Sequence, residues 1–430
     1  MDQKRFFNLS QSRIVAGSVL KENLMSKKCL VCQGELELFH DFGKMPLGNG
    51  FLEKENFTKE YFFNLAIAFC PKCFMVQLLE QPAPEKMFHS QYPFFTGSSR
   101  KMSAHFESFA QDVSFQWLDR PNPFVVEIGS NDGTLLESFK QREIRHLGID
   151  PSASVCARAQ SRGVDCLNAF FDLETAKKVV AERGRAHAVL AANVLCHIPY
   201  LDSVLEGVSH LLERNGVLIF EEPYWGDVFE KTSYDQIYDE HVFLFSVHSI
   251  QFLLRKHGFE LVTVQPQWTH GGSMRYTAAR IGDHAVDASL AEFLEKEKKA
   301  GFTQWTVYKE FSIRVEKSRR DLKDLLLALK NEGQKLMGYA ATSKSTTVLN
   351  YCQITPDLLP SICDTTPEKQ GKFSPGAHIP IVPYEKFLEQ KPNVALLFGW
   401  NHASEIHAKE IDFKEAGGKW LTYVPKVEMK

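Results

Sequence analysis

The chain has 430 residues, of which 44% are hydrophobic and 24% charged, and its formal net charge is −3. This length exceeds what one hydrophobic core usually organises, so we expect two or three domains. No apolar run reaches the roughly 18 residues that a membrane helix needs, which excludes a membrane protein. No block of lysines and arginines offers the basic face that nucleic acid requires, so the expected partner is a small molecule.

The N-terminal segment and the cysteine content bear on the compartment. The first 24 residues lack the continuous apolar core of a secretory signal. Nine cysteines without an export signal favour a reducing compartment, where paired thiols bind metal more often than they form disulfides. We expect a cytoplasmic protein, either a monomer or a weak homo-oligomer.

Two CxxC motifs stand near the N-terminus, CLVC at 29–32 and CPKC at 70–73. This spacing lets a tight turn direct two thiolates at one ion, and two such turns complete a tetrahedron. Four sulfur ligands leave no position for water, so we predict structural Zn²⁺ held by Cys29, Cys32, Cys70 and Cys73. The alternative is four reduced core cysteines. The segment FGKMPLGNGFL lies between the motifs, and its glycines suit either a ligand approach or a plain turn.

The stretch FVVEIGSNDGTLLESF, residues 124–139, predicts a buried parallel strand, a glycine turn and the start of a helix. Gly129 and Gly133 permit a sharp turn and a close ligand approach. About 20 residues later a second strand ends at Asp150, where a carboxylate can accept hydrogen bonds from ribose hydroxyls. The spacing is GxxxG and not the GxGxxG of dinucleotide binders, which favours an adenosine ligand without a pyrophosphate.

This stretch resembles motif I of the class I methyltransferases that use S-adenosylmethionine. The resemblance places Glu127, Gly129 and Gly133 at the acidic and glycine positions of the motif, and it implies that Asp150 binds the ribose. We add Asn131 and Asn193 as candidate cofactor contacts. Residues 186–199 and 215–225 resemble the fourth and fifth strands of that fold, with a crossover helix between them. The alternative is another doubly wound nucleotide-binding protein.

Further motifs are spread along nearly the whole chain, between residues 29 and 425. They are the two CxxC pairs, PLGNGF, QYPFFTGSS, EIGSNDG, NVLCHIP, YDEH, HGGSMRY and PEKQGKFSPGAHIP. This layout resembles the sugar C-methyltransferases that act on nucleotide-linked ketodeoxysugars. The resemblance implies an α/β protein in which a class I methyltransferase domain is flanked by an N-terminal zinc-binding domain and a C-terminal Rossmann-like domain, which we predict at 25–88, 89–285 and 286–430. The resemblance also implies methylation of C3 of a dTDP-4-keto-deoxysugar.

Carbon methylation requires a base, because the hydrogen beside the ketone must leave before the carbon can attack a methyl group. Histidine suits this role, since its ordinary pKa of about 6.5 leaves it mostly neutral near neutral pH. By the resemblance, Tyr238, Glu240 and His241 are active-site residues, with His241 as the base and Tyr238 as a donor to the ketone oxygen. His197 and Tyr92 match further active-site positions. Without the resemblance, each of these side chains would more often be a packing or hydrogen-bonding residue.

The C-terminal part predicts two connecting helices within 285–332, followed by a second parallel sheet. The turn ATSKSTT contains Lys344 and could receive a phosphate at a helix N-terminus. The family commonly has further glycines where this chain has GYAATSKS, so a close backbone contact there is in doubt. We expect this domain to frame the substrate cleft or to contact the zinc module. The loop EKQGKFSPGAHIP either closes over substrate or is a surface loop, and Arg275 either binds a diphosphate or forms a structural ion pair.

Other functions remain open at this stage. One is methylation of oxygen or nitrogen on another small molecule, which needs no enolising base. A second is an inactive protein that binds zinc and a nucleotide, although Gly129, Gly133 and Asp150 are intact. A role in RNA modification is disfavoured because the N-terminal module lacks a basic surface. The sequence also leaves open which keto sugar is used, the stereochemistry, and whether His241 or His197 is the base.

Overall fold

The structure is a computed structural model that describes residues 28–83, 87, 97 and 100–430. The strands of these residues form sheets of four, seven and six strands, which we call the first, second and third sheets. In the described part of the chain, no helix is both long enough and apolar enough to span a membrane. Tyr92 and the predicted boundary between residues 88 and 89 lie outside the described residues, so both stay predictions, as does the boundary after 285.

The first sheet begins with three antiparallel strands, β1 (Glu37–Pro46), β2 (Phe62–Phe69) and β3 (Val76–Leu78). The two CxxC motifs lie just before β1 and between β2 and β3. Each motif closes a turn in which the residue four positions after the first cysteine has a left-handed backbone, Gln33 (φ 57°) and Phe74 (φ 63°). The amide N–H of each donates to the carbonyl of that cysteine. The two turns therefore have the same local geometry.

The second sheet is doubly wound. Its parallel strands are β4 (Phe124–Ile128), β5 (Arg145–Asp150), β6 (Cys166–Asn168), β7 (Ala186–Ala192) and β8 (Leu212–Pro223). The helices around it are α1 (Arg100–Trp117), α2 (Thr134–Gln141), α3 (Ala153–Ser161), α4 (Leu173–Arg183), α5 (Leu201–Leu211) and α6 (Trp225–Lys231). The predicted crossover helix between the fourth and fifth strands is confirmed as α5.

Four later elements complete the second sheet and link it to the first. They are β9 (Phe243–Leu244), α7 (Val247–Lys256), β10 (Phe259–Gln267) and β11 (Ser273–Arg280). The order is β10-β11-β8-β7-β4-β5-β6, with β11 antiparallel to both neighbours. This confirms the class I methyltransferase arrangement expected from the resemblance. Strand β9 belongs to the first sheet, where it pairs with β3. The YDEH motif directly precedes β9, so this motif lies where the first and second sheets meet.

The two predicted connecting helices are confirmed as α8 (Ala288–Lys299) and α9 (Trp305–Asn331). Aromatic side chains of α9 pack against both preceding units. The Tyr308 ring lies 5.2 Å from the ring of Phe39 in β1 and 5.7 Å from that of Trp225 in α6. Glu297 is fully buried and accepts hydrogen bonds from the Tyr224 hydroxyl (2.9 Å) and the Val247 amide (2.6 Å). Helices α8 and α9 therefore bind both preceding units into one core.

The third sheet confirms the predicted second parallel sheet. Its strands are β12 (Leu336–Tyr339), β13 (Ile362–Asp364), β14 (Ile381–Pro383), β15 (Val394–Leu397), β16 (Lys419–Thr422) and β17 (Glu428–Met429). Within the third sheet, β16–β17 is the only antiparallel pair among the described residues. Its helices are α10 (Ser343–Tyr351), α11 (Glu385–Gln390), α12 (Ala403–Lys409) and α13 (Ile411–Glu415). Sequence analysis did not predict β14 or β17.

Candidate active site and metal site

The four cysteines of the CxxC motifs converge as predicted. Their sulfur atoms all lie within 4.8 Å of one another, with Cys29 Sγ 3.5 Å from Cys73 Sγ and Cys32 Sγ 3.4 Å from Cys70 Sγ. A tetrahedral Zn²⁺ with bonds of about 2.3 Å places its sulfur ligands about 3.8 Å apart. The cluster fits this ion, and its four sulfurs close the coordination shell, so the site is structural.

Removing one ligand tests the metal site. We expect Cys70→Ser to reduce bound zinc from about one ion per chain to a small fraction, because a structural site needs all four ligands. The unfolding temperature should fall with it, since the binding free energy of the ion is part of the folding free energy. Zinc is measured by elemental mass spectrometry and unfolding by calorimetry. Cys363→Ser is the control, because it also alters a buried thiol but should keep the zinc. Full zinc in Cys70→Ser would contradict the assignment.

A cavity of about 360 Å³ lies at the carboxyl ends of β4, β5 and β7. Ligands of doubly wound sheets bind at this edge, because the turns that follow the strands expose their backbone there. Segments next to all three sheets contribute to its wall. The loops around the second sheet contribute Gly129, Asn131, Asp150, Asn193, His197, Tyr238, Glu240 and His241. The turn after β1 contributes Asn49, and the start of α10 and the loop after β13 contribute Thr342, Ser343, Lys344 and Lys369.

Gly129 forms the turn after β4 at a point where no side chain fits. Its φ is +67°, and an added Cβ would lie 2.3 Å from Val194 Cγ2 in the loop after β7. Gly133 has φ +76° and precedes α2, but an added Cβ there would meet Val164 and Ala159, and Gly133 is not part of the cavity wall. The first glycine therefore shapes the cavity, and the second lets α2 pack against α3 and the turn after it.

Asp150 ends β5 with its carboxylate at the cavity. Its Oδ1 accepts the Ser152 amide and its Oδ2 the Asn131 amide, each at 2.9 Å. Burial nevertheless raises the pKa of Asp150 above its ordinary value. Two amide donors fix the plane of the carboxylate, so its remaining lone pairs suit ribose hydroxyls. Glu127 is buried within β4 outside the cavity wall, and burial, then the charge of Asp150, raises its pKa well above its ordinary value.

Asn193 and the following loop are held by two adjacent glutamates of β8. The Asn193 amide donates to the Glu221 carbonyl at 2.8 Å, and φ of Asn193 is +57°. Glu222 Oε1 accepts the amides of Val194 (3.1 Å) and Leu195 (2.7 Å), and burial raises the Glu222 pKa to about 7. Asn193 Oδ1 is buried without a hydrogen-bond partner among the described residues. Such an acceptor in a cavity wall fits an N–H group of a bound adenosine cofactor. Sequence analysis missed Glu222, whose signal was the carboxylate pair at the end of a strand.

The collision at Gly129 provides a test of cofactor binding. We expect Gly129→Ala to lower affinity for S-adenosylmethionine by at least about tenfold, because the new methyl group displaces Val194 from the cavity wall. Isothermal titration measures the affinity. The matched control is Gly258→Ala, where φ is +76° but no atom lies within 4 Å of the added Cβ. Equal affinities in the two variants would contradict a role of the collision with Val194 in cofactor binding.

Tyr238 and His241 form a hydrogen-bonded pair inside the cavity. His241 Nδ1 lies 2.7 Å from the Gln236 carbonyl, which can only accept, so Nδ1 carries the proton. His241 Nε2 lies 3.0 Å from the Tyr238 hydroxyl and is therefore the acceptor. Burial, and then the neighbouring His197, lowers the pKa of His241 well below its ordinary value. The pair presents a neutral imidazole with a basic nitrogen, which is the state that a general base requires.

His197 follows β7 and stacks on His241, with ring centroids 5.4 Å apart and planes at 21°. Desolvation lowers the His197 pKa to about 4. Donor atoms of Cys196, His197 and His241 lie within 4.8 Å of one another. Lone pairs in two nearly parallel ring planes do not converge on one ion, and both nitrogens of His241 already have partners. The cluster therefore suits proton transfer better than metal binding.

The glycine segment that sequence analysis left open reaches this site. The Gly48 amide donates to Asp239 Oδ1 at 2.7 Å, and Asn49 Nδ2 donates to Glu240 Oε1 at 2.8 Å. An added Cβ on Gly48 would lie 2.9 Å from Asp239 Oδ1, so only glycine allows this approach. The segment is a wall of the cavity and not a plain surface turn.

The third sheet frames the cavity with two lysines. Lys344 Nζ donates to the His270 carbonyl at 3.3 Å, and Lys369 Nζ donates to the Ala341 carbonyl at 2.7 Å. Burial lowers the pKa of both lysines. Two lysine side chains therefore line the same cavity as the carboxylate of Asp150. This agrees with the expectation that the C-terminal part frames the cleft.

Two further expectations are resolved by contacts. Arg275 forms ion pairs with Glu221 (2.7 Å) and Asp112 (3.0 Å), so it is structural and does not face a diphosphate. In the loop after β13, the Phe373 amide donates to the Leu52 carbonyl at 2.9 Å, and the loop packs on the N-terminal module. That loop therefore joins two parts of the protein.

Comparisons with known proteins agree with this geometry. Family models match three consecutive segments: a zinc binding domain at 29–88, a methyltransferase domain at 101–264 and a C-methyltransferase C-terminal domain at 268–425. The C-methyltransferase NovU of Streptomyces niveus is 31% identical over 388 residues, which cover 90% of this chain and 92% of NovU. The chain belongs to the C-methyltransferase family. It is thus an enzyme that uses S-adenosylmethionine and carries a zinc-binding domain.

Solved structures of methyltransferases match part of the chain. A methyltransferase from Anabaena variabilis that depends on S-adenosylmethionine is 17% identical, covers 40% of this chain and 84% of its own, and has a TM-score of 0.33. Magnesium protoporphyrin IX methyltransferase from Synechocystis PCC 6803 is 17% identical, covers 41% of this chain and 79% of its own, and has a TM-score of 0.31.

Proposed function

We propose that this C-methyltransferase transfers the methyl group of S-adenosylmethionine to C3 of a nucleotide-linked 4-keto-deoxysugar, with dTDP as the nucleotide. Reaction proceeds through an enolate formed when His241 removes the C3 proton. The observation that carries this proposal is the neutral pair Tyr238–His241 within the same cavity as Gly129 and Asp150. The family membership supports carbon as the methyl acceptor.

The base assignment follows from the hydrogen bonds of His241. The Gln236 carbonyl holds the proton on Nδ1, so Nε2 has the lone pair. Because desolvation keeps the imidazole neutral, Nε2 accepts a proton without first losing one. The Nε2 lone pair accepts a hydrogen bond from the Tyr238 hydroxyl. This hydrogen bond must therefore break when the substrate binds, so that Nε2 becomes available to the C3 proton.

Tyr238 is assigned as the donor to the ketone oxygen. Burial, and then the charge of Glu240, raises the Tyr238 pKa well above its ordinary value, so the phenol stays protonated. A protonated phenol stabilises the negative charge that develops on the ketone oxygen as C3 loses its proton. The base and this donor are hydrogen-bonded neighbours, so one hydroxyl movement from Nε2 to the ketone prepares both groups.

Two lysines in the cavity wall support a nucleotide diphosphate as the carrier of the sugar. Lys344 and Lys369 both line the cavity, and burial lowers their pKa. A bound diphosphate would favour their charged forms, because opposite charges attract strongly where water is excluded. Ser343 and Thr342, at the start of α10, add hydroxyl groups on the same side. We further propose that the protein acts in the cytoplasm on a small-molecule substrate without a nucleic-acid partner, as a monomer or weak homo-oligomer.

Replacing the proposed base tests the reaction. We expect His241→Asn to lower methyl transfer to a panel of dTDP-4-keto sugars by about 10²- to 10⁴-fold, because the carbon acid is no longer deprotonated. Affinity for S-adenosylmethionine should stay unchanged. Carbon NMR and mass spectrometry identify the methylated carbon, and solvent deuterium entering the keto sugar measures proton removal.

Two variants serve as comparisons for that experiment. His284→Asn alters a histidine that contacts only the Asn215 carbonyl among the described hydrogen bonds, and it should keep full activity. His197→Asn decides between the two imidazoles: the base is the one whose loss stops deuterium entry. If His241→Asn still exchanges deuterium and methylates the sugar, His241 is not the base. If the unaltered protein methylates none of the sugars, the proposed substrate class is wrong.

The lowered pKa of His241 predicts the pH profile. The base works only when neutral, so activity is lost as pH falls through its pKa, which lies below the ordinary 6.5. We therefore expect kcat/KM to stay constant through pH 6.5 and to fall only at lower pH. Glu222→Gln is the control. Glu222 has a pKa of about 7, so its own titration could produce an acid limb in the pH profile of kcat/KM. An acid limb at or above 6.5 that persists in this variant would contradict a neutral, desolvated base.

A further inference from the structure

Asn49 lies at the tip of a tight turn that connects the N-terminal module with the cavity. The Gly50 amide donates to the Leu47 carbonyl at 3.1 Å, and the Phe51 amide donates to the Asn49 carbonyl at 2.9 Å. The Gly48 amide is bound to Asp239 at 2.7 Å. Backbone bonds on both sides of Asn49 therefore fix where its side chain starts, so little entropy is lost when the carboxamide is placed in the cavity wall.

The Asn49 carboxamide contacts the one carboxyl group of the YDEH motif that lines the cavity. Asn49 Nδ2 donates to Glu240 Oε1 at 2.8 Å, and Glu240 is only 3% exposed. A buried carboxyl group takes its orientation from its hydrogen-bond donors, because water cannot replace them. Glu240 directly precedes His241 and is two residues from Tyr238, so its direction decides which atoms a bound sugar meets beside that pair.

Asn49 itself has no acid or base chemistry, because a carboxamide does not titrate in the working range of the enzyme. It is also not a simple filler of the core, since its side chain is half-buried and forms part of the cavity wall. Its position provides a directed N–H donor from the turn after β1 to a residue 191 positions later in the chain. Such a donor controls the orientation of the carboxyl group that it contacts. A small error in the placement of an active-site group can lower the rate of catalysis substantially.

We infer that Asn49 is a positioning residue for carbon methylation, which holds the Glu240 carboxyl group toward the sugar beside Tyr238 and His241. This inference rests on the proposed function. It assigns to the N-terminal module a role in the reaction that is separate from zinc binding. Asn49 acts through Glu240 and not on the reacting carbon, so its effect should appear in turnover and not in cofactor affinity.

The first experiment removes the donor. We expect Asn49→Ala to lower kcat on a methylated keto sugar by about 10- to 100-fold, in parallel with the rate of solvent deuterium entry. The KM for S-adenosylmethionine and the zinc content should stay within about twofold of the unaltered protein. Asn49→Asp should be worse than Asn49→Ala, because it keeps the shape but sets two carboxyl groups against each other.

A double variant tests the contact itself. Asn49→Asp combined with Glu240→Gln restores a donor and an acceptor with the direction of the hydrogen bond reversed. Its unfolding temperature should exceed the value expected from adding the two single effects, since neighbouring groups in contact are not additive. The kcat of the double variant should likewise be higher than the value expected if the fold-losses of the two single variants multiplied. If the two single effects simply combine in both the unfolding temperature and kcat, the proposed coupling between Asn49 and Glu240 is wrong.

The matched control is Asn64→Ala in β2. Asn64 also donates its Nδ2 to a carboxylate, Asp41 Oδ1 at 3.5 Å, within the same module but outside the cavity. This variant should keep kcat. If Asn49→Ala lowers the unfolding temperature but leaves kcat unchanged, Asn49 is merely structural and the inference is overturned. If the unaltered protein methylates no keto sugar, the proposed function is wrong. If the unaltered protein methylates the sugar and Asn49→Ala does so at the same rate, the proposed function stands and only the inference about Asn49 is wrong.

Discussion

The active site depends on one set of hydrogen bonds that holds residues 237–241 from two sides. From the turn after β1, Gly48 and Asn49 donate to Asp239 and Glu240. From helix α10, the Thr347 hydroxyl donates to the Ile237 carbonyl at 2.9 Å, and the Thr346 hydroxyl donates to the Gly48 carbonyl at 2.8 Å. The segment therefore takes its position from contacts with two other parts of the chain.

Burial of this segment also sets its chemistry. Desolvation disfavours charge, so it lowers the pKa of His241 and raises that of Tyr238. The same effect, reinforced by Glu240, raises the pKa of Asp239 to about 8. A neutral imidazole beside a protonated phenol provides a base and a hydrogen-bond donor at the same pH. Neither role requires a charged side chain at this place. Burying an unpaired charge inside the protein would cost folding free energy.

The zinc cluster acts on the site at a distance. Strand β3 follows the second CxxC motif directly and pairs with β9, which follows His241. The metal therefore fixes one end of a sheet whose other end carries the proposed base. Helices α8 and α9 add a shared core, in which Glu297 and Tyr308 contact elements of different sheets. This gives a physical reason for a structural ion in this enzyme.

Local patterns in the sequence determined much of this protein. The CxxC spacing predicted the metal site, the strand–glycine–helix pattern after Phe124 predicted the doubly wound sheet, and the resemblance of YDEH pointed to Tyr238 and His241. Each of these signals is confined to a few adjacent residues, whose backbone geometry is set by near neighbours. The tertiary structure alone decided that Asn49 contacts Glu240, 191 positions away, that Lys344 and Lys369 share the cavity, and that Arg275 is an ion-pair residue. Such contacts follow from how distant elements pack, and no local pattern records which side chains that packing brings together.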